Sequence, residues 1–155
     1  MLEIVILIGL QASGKSTFRR QRFEGTHDVV SKDHFPNNRR PQRRQMELVE
    51  VSLASGRSVV VDNTNPRRAD RQVLLELAQR FGARAVGFYL SSRLEDSIRR
   101  NAGRSGNERV PDVALLATAK VLERPSLTEG FDELYYVSIS DGSGFVVQSY
   151  VESRQ

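Results

Sequence analysis

Three stretches of this chain run apolar with no period-two alternation: Ile4–Ile8 (IVILI), Val59–Val61 (VVV) and Ala85–Leu90 (AVGFYL). Tyr135–Ile139 (YYVSI) is a fourth candidate strand, and Val29-Val30 a short fifth. A continuous β-branched and aliphatic run suits a strand covered on both faces, because no side of it has to meet water. Between these runs the apolar spacing turns helical, over 16–23, 46–54, 69–81, 94–100 and 113–122. Within 69–81 the stripe is Val73, Leu74, Leu75, Leu77 and Ala78. Strands alternating with helices predict βαβ units, hence an α/β fold: a parallel sheet of about five strands with helices on both faces. The turn signal at 141–144 (DGSG), followed by 145–151, predicts a terminal hairpin.

One segment breaks the pattern. Residues 101–111 (NAGRSGNERVP) combine glycines, arginines and a proline with almost nothing apolar, and predict a mobile loop between two helices. No repeat, low-complexity segment or linker divides the chain, so its 155 residues predict a single domain over 1–155. The absence of cysteine excludes a disulfide scaffold, a zinc finger, a cysteine nucleophile and an iron–sulfur centre. The run at 4–8 is too short to span a bilayer, and Met1-Leu2-Glu3 offers no basic leader, so the expected location is cytoplasmic, with no membrane partner. Lysine and arginine number 23 against 19 acidic residues, and all but Lys15, Lys32 and Lys120 are arginine. Guanidinium forks suit phosphate oxygens, although a net charge of +4 is too small to imply strong duplex binding.

Directly after the first strand comes Gly9-Leu10-Gln11-Ala12-Ser13-Gly14-Lys15-Ser16-Thr17, which matches G-x-x-x-x-G-K-[ST] at every fixed position. Its placement, after a buried strand and opening a helix, is the one that a phosphate-binding P-loop requires. Backbone N–H groups of residues 11–16 would wrap an anion, and the helix N-terminus adds about half a positive charge. Lys15 would reach the β- and γ-phosphates, and the Ser16 hydroxyl would ligate magnesium. The motif predicts a three-layer P-loop NTPase fold binding ATP with Mg2+. Asp62, at the carboxyl end of the 59–61 strand, is placed as a second magnesium-holding group. Asn63-Thr64-Asn65-Pro66 either faces the ligand crevice at the strand ends or caps the next helix.

No N-K-x-D guanine-reading motif is present, which leaves a small kinase or a nucleotide-controlled switch. A kinase needs a base for the acceptor hydroxyl and cations for the transferring phosphoryl. Asp33, in Ser31-Lys32-Asp33 after the second strand, is the candidate base. Arg100 and Arg104 are the candidate clamp, on one face if their helix continues, and they open a lid at about 101–111. Arg99 and Arg109 are weaker candidates, and His27 and His34 have no assigned role.

The ordered set GLQASGKST, SKD, VVVDNTNP, RNAGR and ERPSLTEGFD resembles the 5′-hydroxyl polynucleotide kinase family of P-loop phosphotransferases, along most of the chain to about residue 140. The resemblance implies that Lys15 and Ser16 bind phosphate and magnesium, that Asp33 is the general base and that Arg104, supported by Arg100, is the lid arginine. It also implies a 5′-hydroxyl nucleic acid end as acceptor. One position departs from it: the family arginine that grips the acceptor phosphate, three residues past the base, is here Pro36, with Arg39 and Arg40 nearby. Small-molecule kinases share the scaffold, and a non-catalytic ATP-binding switch is a further reading. The clusters Arg39, Arg40, Arg43, Arg44 and Arg67, Arg68, Arg71 either line an acceptor path or form solvated helix faces. Phe35 alone offers a stacking ring beside the first cluster.

Overall fold

Ile4 to Ile8 are fully shielded from solvent, and they form the middle of the sheet. The computed structural model describes residues 1–91, 93–140 and 144–151. The described residues form six strands: β1 (Glu3–Ile8), β2 (Asp28–Val30), β3 (Val59–Val61), β4 (Arg84–Leu90), β5 (Glu133–Ile139) and β6 (Phe145–Ser149). Their order across the sheet is β2-β3-β1-β4-β5-β6. The first five are parallel, with Ile4 opposite Val59 on one side and Ala85 on the other. β6 runs antiparallel to β5, which is the hairpin that the pattern predicts. Residues 141–143 of its turn signal lie outside the described residues.

The helices are α1 (Lys15–Phe23), α2 (Pro41–Ala54), α3 (Arg68–Arg80), α4 (Leu94–Ala102) and α5 (Asp112–Val121). Ile4, Ile6 and Ile8 face a cluster with Val49 and Leu53 of α2 and Leu74, Leu77 and Ala78 of α3. Val5 and Leu7 face Phe18 and Phe23 of α1, together with Phe88 and Val137. Both faces of β1 are therefore covered, which is why its sequence carries no polar alternation. α2 begins five residues before the predicted start. The apolar spacing opens at Met46, but Pro41 sets the first turn with its fixed φ, and the polar run 41–45 is helical.

β4 carries a glycine in its interior for a packing reason. A Cβ on Gly87 would sit 2.7 Å from both Leu134 and Phe131. Arg71 is fully buried and forms a two-pronged ion pair with Glu129, at 2.8 and 3.0 Å. Arg71 also donates to the carbonyls of Asn65 and Pro66. This joins the amino-terminal end of α3 to the turn at Leu127–Glu129 that precedes β5. Arg71 is thus structural and is removed from the acceptor path that the sequence left open for it.

Candidate active site

The P-loop leaves β1 at its carboxyl end. Gly9 approaches β4 so closely that a Cβ there would meet the Leu90 carbonyl at 2.6 Å, and its N–H donates to the Thr64 carbonyl at 3.1 Å. Gly14 stands at the N-cap of α1 with φ 96, which a side chain would oppose. Ala12 also takes a left-handed φ, 58, although it carries a Cβ. The loop is anchored by Lys15, only 8% exposed, whose Nζ donates to the carbonyls of Gly9 at 2.9 Å and Leu10 at 2.6 Å. Ser13 is buried beside it, whereas Ser16 and Thr17 are exposed at the start of α1. The hairpin braces the turn from outside: the Phe145 ring lies against Gly14 and packs edge-on to Phe18 at 5.3 Å.

Asp62 follows β3 directly and is buried. One of its oxygens accepts from the Ser16 hydroxyl and from Arg19 Nε, each at 2.9 Å. A hydroxyl and a carboxylate side by side form the oxygen-only donor set that a hard divalent cation takes, so the residues fit magnesium completed by phosphate oxygens. Among the described residues no cluster of three His, Cys, Asp or Glu stands ready for a metal by itself. Arg19 was not singled out from the sequence. Its signal was its place three residues after Ser16, on the same face of α1.

Asp33 sits in a single helical turn, Lys32–His34, capped by Ser31, whose hydroxyl accepts from the Asp33 N–H at 3.3 Å. Asn63 fixes this turn to the end of β3 by accepting the Lys32 N–H at 2.9 Å. The Asn63 amide in turn donates to Gln45, a buried residue of α2. Asn65, with φ 43, donates to the Leu7 carbonyl at 2.7 Å and so ties the same connection to β1. Asn63 and Asn65 therefore hold backbone in place. Neither caps α3, whose N-cap is Arg67.

α4 ends at Ala102, so Arg104 lies beyond the helix and does not share a helical face with Arg100. The two still converge on the P-loop. Arg100 Nη1 donates to the Ala12 carbonyl at 3.0 Å, and the charge of Arg104 acts on Lys15. Burial holds the Lys15 ammonium down at about 8 against an ordinary 10.5. The Asp62 carboxylate opposes that shift, Arg104 adds to it, and Asp33 opposes it. On the other flank, the Gln11 amide donates to the Thr118 hydroxyl of α5 at 3.0 Å.

The remaining candidates do not join this group. Arg99 pairs with Asp96 on the surface, and Arg43 and Arg44 both pair with exposed Glu47. His27, which has no role assigned from the sequence, is mostly enclosed, between Glu3 at 2.7 Å and the Phe23 ring. A polar hollow of about 550 Å3, lined by residues that include His27, Asp28 and Arg57, opens at the amino ends of β1–β3, away from the P-loop. Ligands of open α/β sheets bind at the opposite, carboxyl ends.

Comparison with known proteins bears on the family and the fold. The family model described as an AAA domain matches residues 4–125. The bifunctional polynucleotide phosphatase/kinase of Schizosaccharomyces pombe is 28% identical over 135 residues, covering 83% of this chain. The match spans about a third (32%) of that relative's length. Among solved structures, Kti12 of Chaetomium thermophilum, in complex with ADP-AlF3, superposes with a TM-score of 0.73 at 18% identity, over 89% of this chain and 90% of that one. A sugar kinase from Janibacter sp. HTCC2649 superposes with a TM-score of 0.68 at 18% identity, over 89% and 86%. At these identities the structural likeness speaks for a shared fold. Among the described residues no helix is long and apolar enough to cross a membrane.

Proposed function

This chain belongs to the AAA domain family, and on that premise we propose that it is an ATP- and magnesium-dependent kinase, folded as one domain over 1–155. It passes the γ-phosphoryl group of ATP to a hydroxyl, and the preferred acceptor is the 5′-hydroxyl of a polynucleotide. A cytoplasmic setting suits this chemistry. The observation that carries the reading is the gathering of Asp33, Asp62 and Arg104, from three separate stretches of chain, within electrostatic reach of Lys15.

In this reading the N–H groups of residues 11–16, from Gln11 to Ser16, cradle the triphosphate, Gly9 and Thr17 bound the cradle at its two ends, and Gly14 opens α1 toward it. Lys15 turns from the carbonyls of Gly9 and Leu10 to the β- and γ-phosphates. Ser16 and Asp62 hold magnesium, while Arg19 keeps the Asp62 carboxylate directed at α1. Bound magnesium would offset charge on the β- and γ-phosphates. Asp33 takes the proton of the acceptor hydroxyl as its oxygen bonds to the γ-phosphorus, and the bond to the β-phosphate oxygen breaks, leaving ADP. Arg104, with Arg100 behind it, neutralises charge on the moving phosphoryl.

A small hydroxylated metabolite is the second reading. It is favoured by Pro36, which leaves the acceptor side without the phosphate-gripping arginine of the polynucleotide kinases, unless Arg39 or Arg40 serves instead. Labelled ATP with magnesium, offered to a 5′-hydroxyl oligonucleotide and separately to a metabolite pool, decides between them. Label on the oligonucleotide is the expected result, and label on a metabolite alone selects the second. Tight ATP binding with no transfer would mean a switch. Asp33→Asn should leave ATP affinity intact and lower turnover by at least about 100-fold; unchanged turnover would remove Asp33 from the mechanism.

A further inference from the structure

Asn101 is fully buried in the last turn of α4. A carboxamide has one accepting and one donating end, and burial is costly unless both are met. Here both are met by one residue nine positions on. Asn101 Nδ2 donates to the Val110 carbonyl at 2.6 Å, and the Val110 N–H donates to Asn101 Oδ1 at 3.0 Å. The intervening segment is tied off as a closed loop. Inside it, the Arg104 N–H donates to the Asn101 carbonyl at 3.0 Å and Arg104 Nη1 to the Glu108 carbonyl at 3.1 Å.

The two limbs that leave this knot grip adjacent residues of the P-loop. On the α4 side Arg100 reaches the carbonyl of Ala12. On the α5 side Thr118 receives the side chain of Gln11. We propose that Asn101 is a positioning residue: its carboxamide knots the base of the 101–111 lid, and the knot aligns Arg100 and Arg104 with the phosphate cradle. This rests on the kinase reading given above. Asparagine is the residue the geometry needs, since aspartate of the same length keeps the acceptor and loses the donor, and would set a carboxylate against the Val110 carbonyl.

Two variants test it. Asn101→Ala removes both bonds. Asn101→Asp removes the donor until the buried carboxyl takes up a proton, which burial makes easier. The expected result is a kcat at least about 10-fold below the parent for both at about pH 8, with the KM for ATP little changed. For Asn101→Asp alone, the ratio to the parent should recover as the pH is lowered to about 5.5. Trypsin cleavage after Arg104 and Arg109, measured against cleavage after Arg39, should be faster in both variants, and this readout needs no reaction. An unchanged kcat with faster cleavage would leave a knot without a positioning role and overturn the proposal. So would unchanged cleavage, or a loss of activity in Asn101→Asp that ignores pH. Faster cleavage in a protein whose parent phosphorylates nothing would sink the kinase reading and leave the knot standing.

Discussion

At the scale of single residues, Lys15 is the most informative group. Its ammonium is buried and its pKa depressed to about 8. Below that pH it is charged in the free protein and meets phosphate directly. Above it, the free protein holds a neutral amine, and a triphosphate must draw a proton from solvent to be bound. Nucleotide affinity should therefore decline as the pH rises through about 8, with proton uptake measurable by calorimetry in buffers of different ionisation enthalpy; uptake that stays at zero from pH 7 to 9.5 would contradict it. Folding stability moves in the opposite direction. The unfolded chain keeps this proton up to its ordinary 10.5, so Lys15 makes the folded state relatively more stable as pH rises between about 8 and 10.5. Lys15, Ser16 and Asp62 were readable from spacing, because the motif and its preceding strand fix their neighbours. Gln45 and Asn101 were not readable, and Arg19 showed only as a cation one turn past Ser16. Their roles come from partners 18, 9 and 43 positions away, which chain order does not announce.

Elements were legible wherever both faces are buried. β1, β3 and β4 lie within a residue of their apolar runs, since full burial leaves one pattern possible. The start of α2 was less legible because its first turn, 41–45, is polar and is set by a proline rather than by an apolar stripe. α4 runs two residues past its predicted 94–100, and the shared face of Arg100 and Arg104, which depended on the helix continuing, is not formed: Gly103 halts the helix one residue before Arg104, and a charge spacing of four carries no information about where a helix stops. Packing between β4 and β5 gives a prediction at this scale. A methyl group at Gly87 would collide with Leu134 and Phe131, so Gly87→Ala should lower stability by about 1–3 kcal/mol in denaturant melts. An equal or higher melting midpoint would mean that the strands can part at no cost.

Across the whole molecule, charge sets how an acceptor would be held. If about three acceptor phosphates are neutralised, the logarithm of single-strand affinity should fall with the logarithm of salt at a slope near −2. A slope near zero for a bound oligonucleotide would mean that the arginines around Arg39 and Arg40 make no phosphate contact. Long-range order depends on the pair between Arg71 and Glu129, both almost wholly shielded from water. Glu129→Gln strands the guanidinium and should cost about 3–5 kcal/mol of folding stability. Glu129→Leu joined to Arg71→Met should recover most of that loss, and a thermal melt of the three proteins measures it.

That pair also bears on how this chain can be cut. The stretch that matches the family stops at residue 125, four positions short of the carboxylate on which Arg71 rests. A protein shortened at that border would surrender the last two strands and leave a cation sealed in oil with no counter-ion. The packing that holds Arg71 thus extends past the stretch that the family model matches, and a chain ended at residue 125 should express as insoluble material, which a solubility comparison with the full chain checks.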